Sequence, residues 1–352
     1  MSYYSNLKYH CDIQSCKMKK LLLLCLLTLS ACTLPIVTGP TPTPIATPTS
    51  ETPVATVPVL PTAEPGTEAN PLIMALAPSP HPTSDAVDAV SALAQQLQDL
   101  TGYHIVTVAP AYEADLVRAF AAGNAHIGLL SPYGYMLAYE NGSVNALLAS
   151  LRNGQAMYGA QFLARNDSGF TRYFDPVRGE NTAEADKALS QFKDKKPCWS
   201  DAASPSGYVI PLGFLKQAQV QTIDAAFVEG QSTVVRAIYG KGICDFGATY
   251  IDARSLPALE ADYPDVMEKV AVVWRIPIII PYEQIVTASS LNPEVKRSLL
   301  RAFIDIMNTA EGKTLIQTAY GIDAFQPADD GQYQDFGAYL KASGLDVNSL
   351  LK

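Results

Sequence analysis

The run Ser204-Pro205-Ser206-Gly207-Tyr208 gathers residue types that can hold an anion. It lies between the strand-like Pro197-Cys198-Trp199-Ser200 and a helical stretch over 211–217. A serine-rich turn that opens a helix aims backbone N–H groups and hydroxyls at one spot, beside the positive end of the helix dipole. The same turn also reads as a helix cap, its serine oxygens accepting the first helical N–H groups. Little else in the chain competes as chemistry. His81, His104 and His126 have no metal-ligand spacing and read as surface or loop residues, so no metal site is expected. No Gly-x-Ser-x-Gly, Walker or Gly-x-Gly-x-x-Gly pattern occurs, so an enzyme is disfavoured and no cofactor is expected. A net charge of −9 leaves no basic stripe, which argues against nucleic acid as a partner.

The elements that would position this turn begin with a leader. Lys19 and Lys20 precede an apolar run over 21–29 and then Leu29-Ser30-Ala31-Cys32. The run is too short to span a bilayer, but its basic flank, apolar middle and small-residue end read as an export signal over 1–31, with Met18 as the start. Its end resembles the bacterial lipobox, in which Cys32 would become the lipidated first residue. The alternative is an ordinary secretory signal with an incidental cysteine. Residues 32–69 are rich in proline and threonine, as in Pro40-Thr41-Pro42-Thr43-Pro44. Such a segment cannot bury a core and reads as a semi-rigid spacer, holding the rest of the chain at the outer face of the membrane.

The remaining roughly 280 residues suffice for two domains. Strands over 72–77, 105–109, 127–130 and 146–151 alternate with helices over 85–100, 113–121 and from Tyr133, which predicts a parallel α/β sheet. Ser84 is expected to cap the first helix and Gly102 to stop it. A strand over 158–164 leads out to a boundary at Asp167-Ser168-Gly169. A second set comes next: turn and helix over 204–217, strand 225–228, helix 234–239 and strand 243–248. Residues 270–280 lead back, and helices over 293–307 and 312–320 complete the first domain. Two crossings imply two lobes joined by a hinge, one built from 70–164 and 275–352, the other from 165–274. Cys11, Cys16 and Cys25 fall in the leader, which leaves Cys198 and Cys244 as candidates for one disulfide, two buried thiols being the alternative.

This order of elements and motifs resembles the substrate-binding proteins of phosphonate and phosphite ABC transporters, a branch of the type II periplasmic-binding fold. The carrying stretches are Ala111-Tyr112-Glu113, the run over 123–135 that includes Ser131-Pro132-Tyr133, Arg165-Asn166-Asp167-Ser168-Gly169, the serine turn, the run over 242–248 and Ile276-Pro277. The resemblance implies a lipid-anchored extracytoplasmic protein, a monomer, that closes two lobes on a small oxyanion such as phosphonate, phosphite or phosphate and delivers it to a membrane permease. It implies that Ser204, Ser206 and Gly207 hold the oxyanion, with Pro205 removing one hydroxyl and one N–H where the family commonly has threonine. Tyr112 and Tyr133 match aromatics of the site, inter-lobe packing being the plainer reading of either; Tyr135 reads as core. Gln231 stands where the family commonly has a histidine, which removes a positive partner. Asp252 and Glu283 fall where carboxylates would meet a ligand ammonium, solvated loop charge being the alternative. In this fold the strands that carry Cys198 and Cys244 would run side by side, near enough for a bridge if they are neighbours in register.

Two other readings stay open. Gln231 and Pro205 leave room for a sulfonate or a thiamine-precursor-like ligand. The protein could also be the surface sensor subunit of a signalling complex.

Overall fold

The computed structural model describes residues 64–351; the leader, Cys32 and most of the Pro/Thr-rich spacer lie outside the described residues. The chain opens with β1 (Leu72–Ala75), α1 (Ser84–Thr101), β2 (Ile105–Val108), α2 (Glu113–Ala121), β3 (Ile127–Leu130), α3 (Pro132–Glu140) and β4 (Val144–Leu151). It continues with β5 (Met157–Arg165), the short β6 (Phe174–Asp175) and β7 (Glu180–Asn181), α4 (Ala185–Leu189), β8 (Pro197–Trp199), α5 (Ile210–Gln217), β9 (Ala226–Phe227), α6 (Gln231–Gly240) and β10 (Phe246–Tyr250). Then come α7 (Pro257–Asp262), α8 (Val266–Lys269), β11 (Val270–Pro281), β12 (Gln284–Ala288), α9 (Pro293–Met307), α10 (Ala310–Tyr320), β13 (Ala324–Pro327) and α11 (Gln334–Ser343).

Two larger sheets organise these elements, a six-stranded one in the order β13-β4-β12-β3-β1-β2 and a five-stranded one in the order β11-β5-β10-β8-β9. The first is mixed rather than parallel. β1 runs parallel to β2 and β3, but the returning β12 is antiparallel to both β3 and β4. The sequence reading has no strand at β12, because Gln284-Ile285-Val286-Thr287-Ala288 is separated from the end of β11 by only Tyr282 and Glu283 and does not stand out from it. β3 is buried at every position, as a strand covered by helices on both faces must be. Thr83, not Ser84, caps α1: its Oγ1 accepts the Ala86 N–H, so Ser84 falls inside the first turn. Gly102 ends α1 at φ 75°, where a side chain would be strained.

The lobe boundaries shift from those the sequence suggests. β5 and β11 pair with each other along almost their whole length and belong to the second sheet, so the two crossings fall near 152–156 and 282–283 rather than at 164–165 and 274–275. They are tied together: the Tyr282 N–H donates to the Ala156 carbonyl at 3.2 Å, and the Ser150 N–H to the Glu283 carbonyl at 3.0 Å.

Cys198 and Cys244 are bridged, with Cα atoms 5.6 Å apart. β8 and β10 are parallel neighbours, but Cys198 pairs in register with Gly247; Cys244 reaches it from the loop before β10. His126 is a buried residue rather than a surface one: its Nδ1 accepts the Ile73 N–H at 2.9 Å, and burial holds the imidazole below its usual pKa. The C-terminal α11, absent from the sequence reading, packs on both halves. Phe336 lies against Tyr133 of α3, and Tyr339 stacks on Phe214 of α5 with ring centroids 3.6 Å apart. Gly213 makes this approach possible, since a Cβ there would stand 2.1 Å from the Tyr339 carbonyl oxygen. Among the described residues, no helix is long and apolar enough to cross a membrane.

Candidate ligand-binding site

A cavity of about 300 Å³ opens where the two sheets meet. Its walls come from both: Glu113, Ser131, Pro132 and Tyr133 on one side, Tyr158, Ala203 and Pro205 on the other, with the crossing residues Pro281, Tyr282 and Glu283 between and Leu350 at the edge. This is the kind of place an open α/β sheet uses for ligands, beyond the carboxyl ends of its parallel strands.

The serine turn forms one rim. Pro205–Val209 is a single wide helical turn in which the Val209 N–H reaches the Ser204 carbonyl, before α5 tightens to ordinary geometry. The turn's backbone donors are partly spent inside it: the Gly207 N–H goes to the Ser204 hydroxyl at 3.0 Å, the Ser204 N–H to the Asp201 carbonyl, and Pro205 has none. The Gly207 and Ser204 amides are thus engaged within the turn itself.

The hydroxyls are a different matter, and Gln231 at the start of α6 organises them. Its Nε2 lies 3.1 Å from Ser204 Oγ, 3.3 Å from Ser200 Oγ and 3.5 Å from Ser206 Oγ. The Tyr250 N–H, which can only donate, sits 3.2 Å from Gln231 Oε1 and so fixes which end of the amide is nitrogen. A carboxamide nitrogen can only donate, and its two protons serve the nearer Ser204 and Ser200 oxygens, which accept; the Ser206 hydroxyl, at the outer limit of reach, is bonded to Tyr158. Gly207 is required at the centre: a Cβ there would stand 1.9 Å from Ser200 Oγ and 2.9 Å from Gln231 Nε2.

The opposite rim is the N-terminus of α3. Ser131 caps it, its Oγ accepting the Gly134 N–H at 3.2 Å, and Pro132 occupies the first turn, where its missing N–H costs nothing. Glu113 leans onto this helix end from α2. One carboxylate oxygen accepts the Ser131 N–H and the other the Ser131 hydroxyl at 2.7 Å. Gly134 leaves the space, since a Cβ there would lie 2.4 Å from Glu113 Oε1. Burial pushes the Glu113 carboxyl above the usual carboxylate range, the Ser131 hydroxyl and N–H pull against this, and the charge on Glu283 adds to the rise.

Three tyrosines line the space between. Tyr133 donates its hydroxyl to the Ala203 carbonyl at 3.0 Å, a bond from one rim to the other. Tyr158 stacks on Tyr282 with centroids 4.9 Å apart. Burial raises the Tyr133 and Tyr158 phenols well above their usual range, so both stay protonated, although a bond with the Ser206 hydroxyl works the other way on Tyr158. Glu283 accepts from Arg152 at 2.9 Å, and the Arg152 guanidinium lies over Tyr282.

Of the residues singled out from sequence, Tyr133 and Glu283 line the cavity, and Ser204, Ser206, Gly207 and Gln231 form one bonded cluster at its edge. Two are not brought there. Tyr112 stands at the start of α2, 55% exposed, with no part in the lining. Asp252 is held by Arg254 at 2.5 Å and by Gln161 at 2.7 Å; burial tends to raise its carboxyl, but the Arg254 bonds and charge outweigh this and hold it low. Asp252 thus stands in an internal ion pair outside the cavity lining. Sequence reasoning missed Ser131, Glu113, Tyr158, Tyr282 and Ser200. Ser131-Pro132 after a buried strand is a helix-start signature that could have flagged the second rim.

A protein-family model described as the periplasmic substrate-binding protein of phosphonate ABC transporters matches residues 76–333. The phosphate-import protein PhnD of Mycolicibacterium smegmatis is 27% identical over 181 residues, covering 48% of this chain and 51% of that protein. The chain thus spans about half the length of this curated relative. Among solved structures, XAC2383 from Xanthomonas citri bound to ATP superposes with a TM-score of 0.55 at 16% identity, over 78% of this chain and 98% of that one. Transferrin 1 from Manduca sexta reaches 0.51 at 8% identity, over 78% of this chain and 46% of that one. Identities this low speak for the fold alone. With the family model matched over most of its length, the chain belongs to the periplasmic substrate-binding proteins of phosphonate ABC transporters.

Proposed function

We propose that this protein is the extracytoplasmic solute-binding component of an importer, closing its two lobes on a small phosphorus oxyanion and presenting it to a membrane permease. The observation that carries this reading is the cluster in which Gln231 gathers the Ser200, Ser204 and Ser206 hydroxyls at the edge of the inter-lobe cavity. Because the Ser204 and Ser200 oxygens accept from this amide, their hydroxyl protons are left for other acceptors, with Ser204 at the rim. Closure around the ligand would exclude water and strengthen those bonds. The relative named for phosphate import supports the choice of phosphorus oxyanions. Cys32 would anchor the protein by lipid, and the Pro/Thr-rich stretch up to residue 69 would set its reach from the membrane.

Among the described residues, none that lines the cavity is lysine, arginine or histidine. That favours a singly charged or internally compensated ligand over a bare dianion. Thermal unfolding of the purified protein with phosphonate, phosphite, phosphate and sulfonate tests the reading, since a ligand that binds only the folded state raises the melting temperature. A phosphorus oxyanion should raise it; no rise with any of the three would overturn the proposal.

A further inference from the structure

Glu113 puts a carboxylate where a helix-start anion site would otherwise lie. The N-terminus of α3 carries partial positive charge, and such an end ordinarily welcomes an oxyanion. Here Ser131, its capping residue, gives both its N–H and its hydroxyl to Glu113. Glu113 is only 8% exposed and lines the cavity. Because both of its oxygens accept, it is bonded as an ionised carboxylate is. An ionised carboxylate offers no proton, so any ligand group placed against it must bring one. Glu283 lines the same space and adds a second acceptor-only group, while the neutral donors, the Gln231-organised hydroxyls, stand on the far rim.

We propose that Glu113 is a specificity-determining residue of this cavity: it admits oxyanions that carry a hydrogen-bond donor, whether an acid O–H on the anion itself or an N–H on its other end, and rejects oxyanions that carry none. The proposal rests on the oxyanion reading above. The asymmetry of the cavity carries it, with donors on the serine rim, acceptors on the Glu113 rim and, apart from the Arg152 that pairs with Glu283, no cation to offset them. An anion lacking a donor would set its oxygens against an acceptor that cannot repay them, and sites with unpaired buried polar groups discriminate strongly.

Calorimetric titration of the full-length protein slightly below neutral pH tests this with methylphosphonate, methanesulfonate and 2-aminoethanesulfonate. The first two are near-isosteres and both monoanions there, but only the phosphonate retains an acid proton. Wild type should bind methylphosphonate at least about tenfold more tightly than methanesulfonate. Recovery of binding with 2-aminoethanesulfonate would support the proposal with an N–H as the donor; its failure, with methylphosphonate still preferred, would support it with the acid O–H as the donor. In Glu113→Gln, whose amide can also donate, the gap between methylphosphonate and methanesulfonate should close to a few-fold. Equal binding of those two by wild type would overturn the proposal while leaving the oxyanion reading intact, and this comparison stands even where the variant does not fold. A gap that survives in folded Glu113→Gln would overturn the assignment to Glu113. Binding of none of the three would overturn the oxyanion reading and this proposal together.

Discussion

The Tyr133 hydroxyl donates to the backbone carbonyl of Ala203 at 3.0 Å and joins the start of α3 to the serine turn across the cavity. Neither residue has a neighbour in sequence on the other's sheet, so this bond exists only when the two rims approach. If the lobes close on a ligand as proposed, this bond would help to hold them closed. Tyr133→Phe keeps the ring and removes the donor. A neutral hydrogen bond is worth about 0.5–1.5 kcal/mol net, so ligand affinity should fall roughly two- to tenfold. Small-angle scattering of the ligand-bound variant should show a larger radius than wild type, and unchanged affinity and radius would remove the bond from the closing mechanism.

The serine rim gives a larger effect. Hydrogen bonds to a charged group are worth about 1.5–3 kcal/mol each, so the double change Ser204→Ala and Ser206→Ala should cost at least about a hundredfold in affinity. Gly207→Ala should do the same by another route, because its Cβ would collide with Ser200 Oγ and displace the Gln231 amide. Circular dichroism must show both variants folded, and affinity retained in folded Ser204→Ala/Ser206→Ala would reduce the turn to a helix cap.

Burial of Glu113 couples the site to pH. Its folded pKa is raised above 4.5, so its ionisation costs nothing to stability below about that pH and a growing amount as pH rises through the folded value. Glu113→Gln removes the titration. The melting temperature of the variant minus that of wild type should therefore increase from about pH 4.5 towards neutrality. A difference that stays flat over that range would contradict the burial argument.

The Cys198–Cys244 bridge spans 46 residues and encloses the serine turn, α5 and α6. Closing a loop of that size stabilises a fold by about 4 kcal/mol in the chain-entropy account. Reduction, or Cys198→Ser with Cys244→Ser, should lower the melting temperature by several degrees. Two freely alkylated thiols in native protein from an oxidising compartment would argue that the bridge does not form in solution.

Much of this architecture was legible in the sequence because it depends on local signals. Apolar runs mark β1 to β4, and helix punctuation marks α1 and α9, whose start at Pro293 comes directly after the cap Asn292. The serine turn and Gln231 could be paired only through a family resemblance, since 25 residues separate Gln231 from Ser206 and nothing local predicts their contact. Two features stayed hidden for physical reasons. An acid in the first turn of a helix, as at Glu113, ordinarily serves the helix dipole in solvent, and only the fold reveals that α3 buries it. Asp252 read equally well as a ligand group until Arg254, two residues on, was seen to claim it.

The most direct measurement of phosphorus oxyanion uptake through the Gln231-organised hydroxyls is calorimetric titration of the purified protein with methylphosphonate, phosphite and phosphate, repeated on the Ser204→Ala/Ser206→Ala variant. Saturable one-to-one binding of at least one of them by wild type, lost or weakened at least about a hundredfold in the folded variant, is the expected result. No heat of binding from any of the three with wild type, or equal binding by the folded variant, would contradict it.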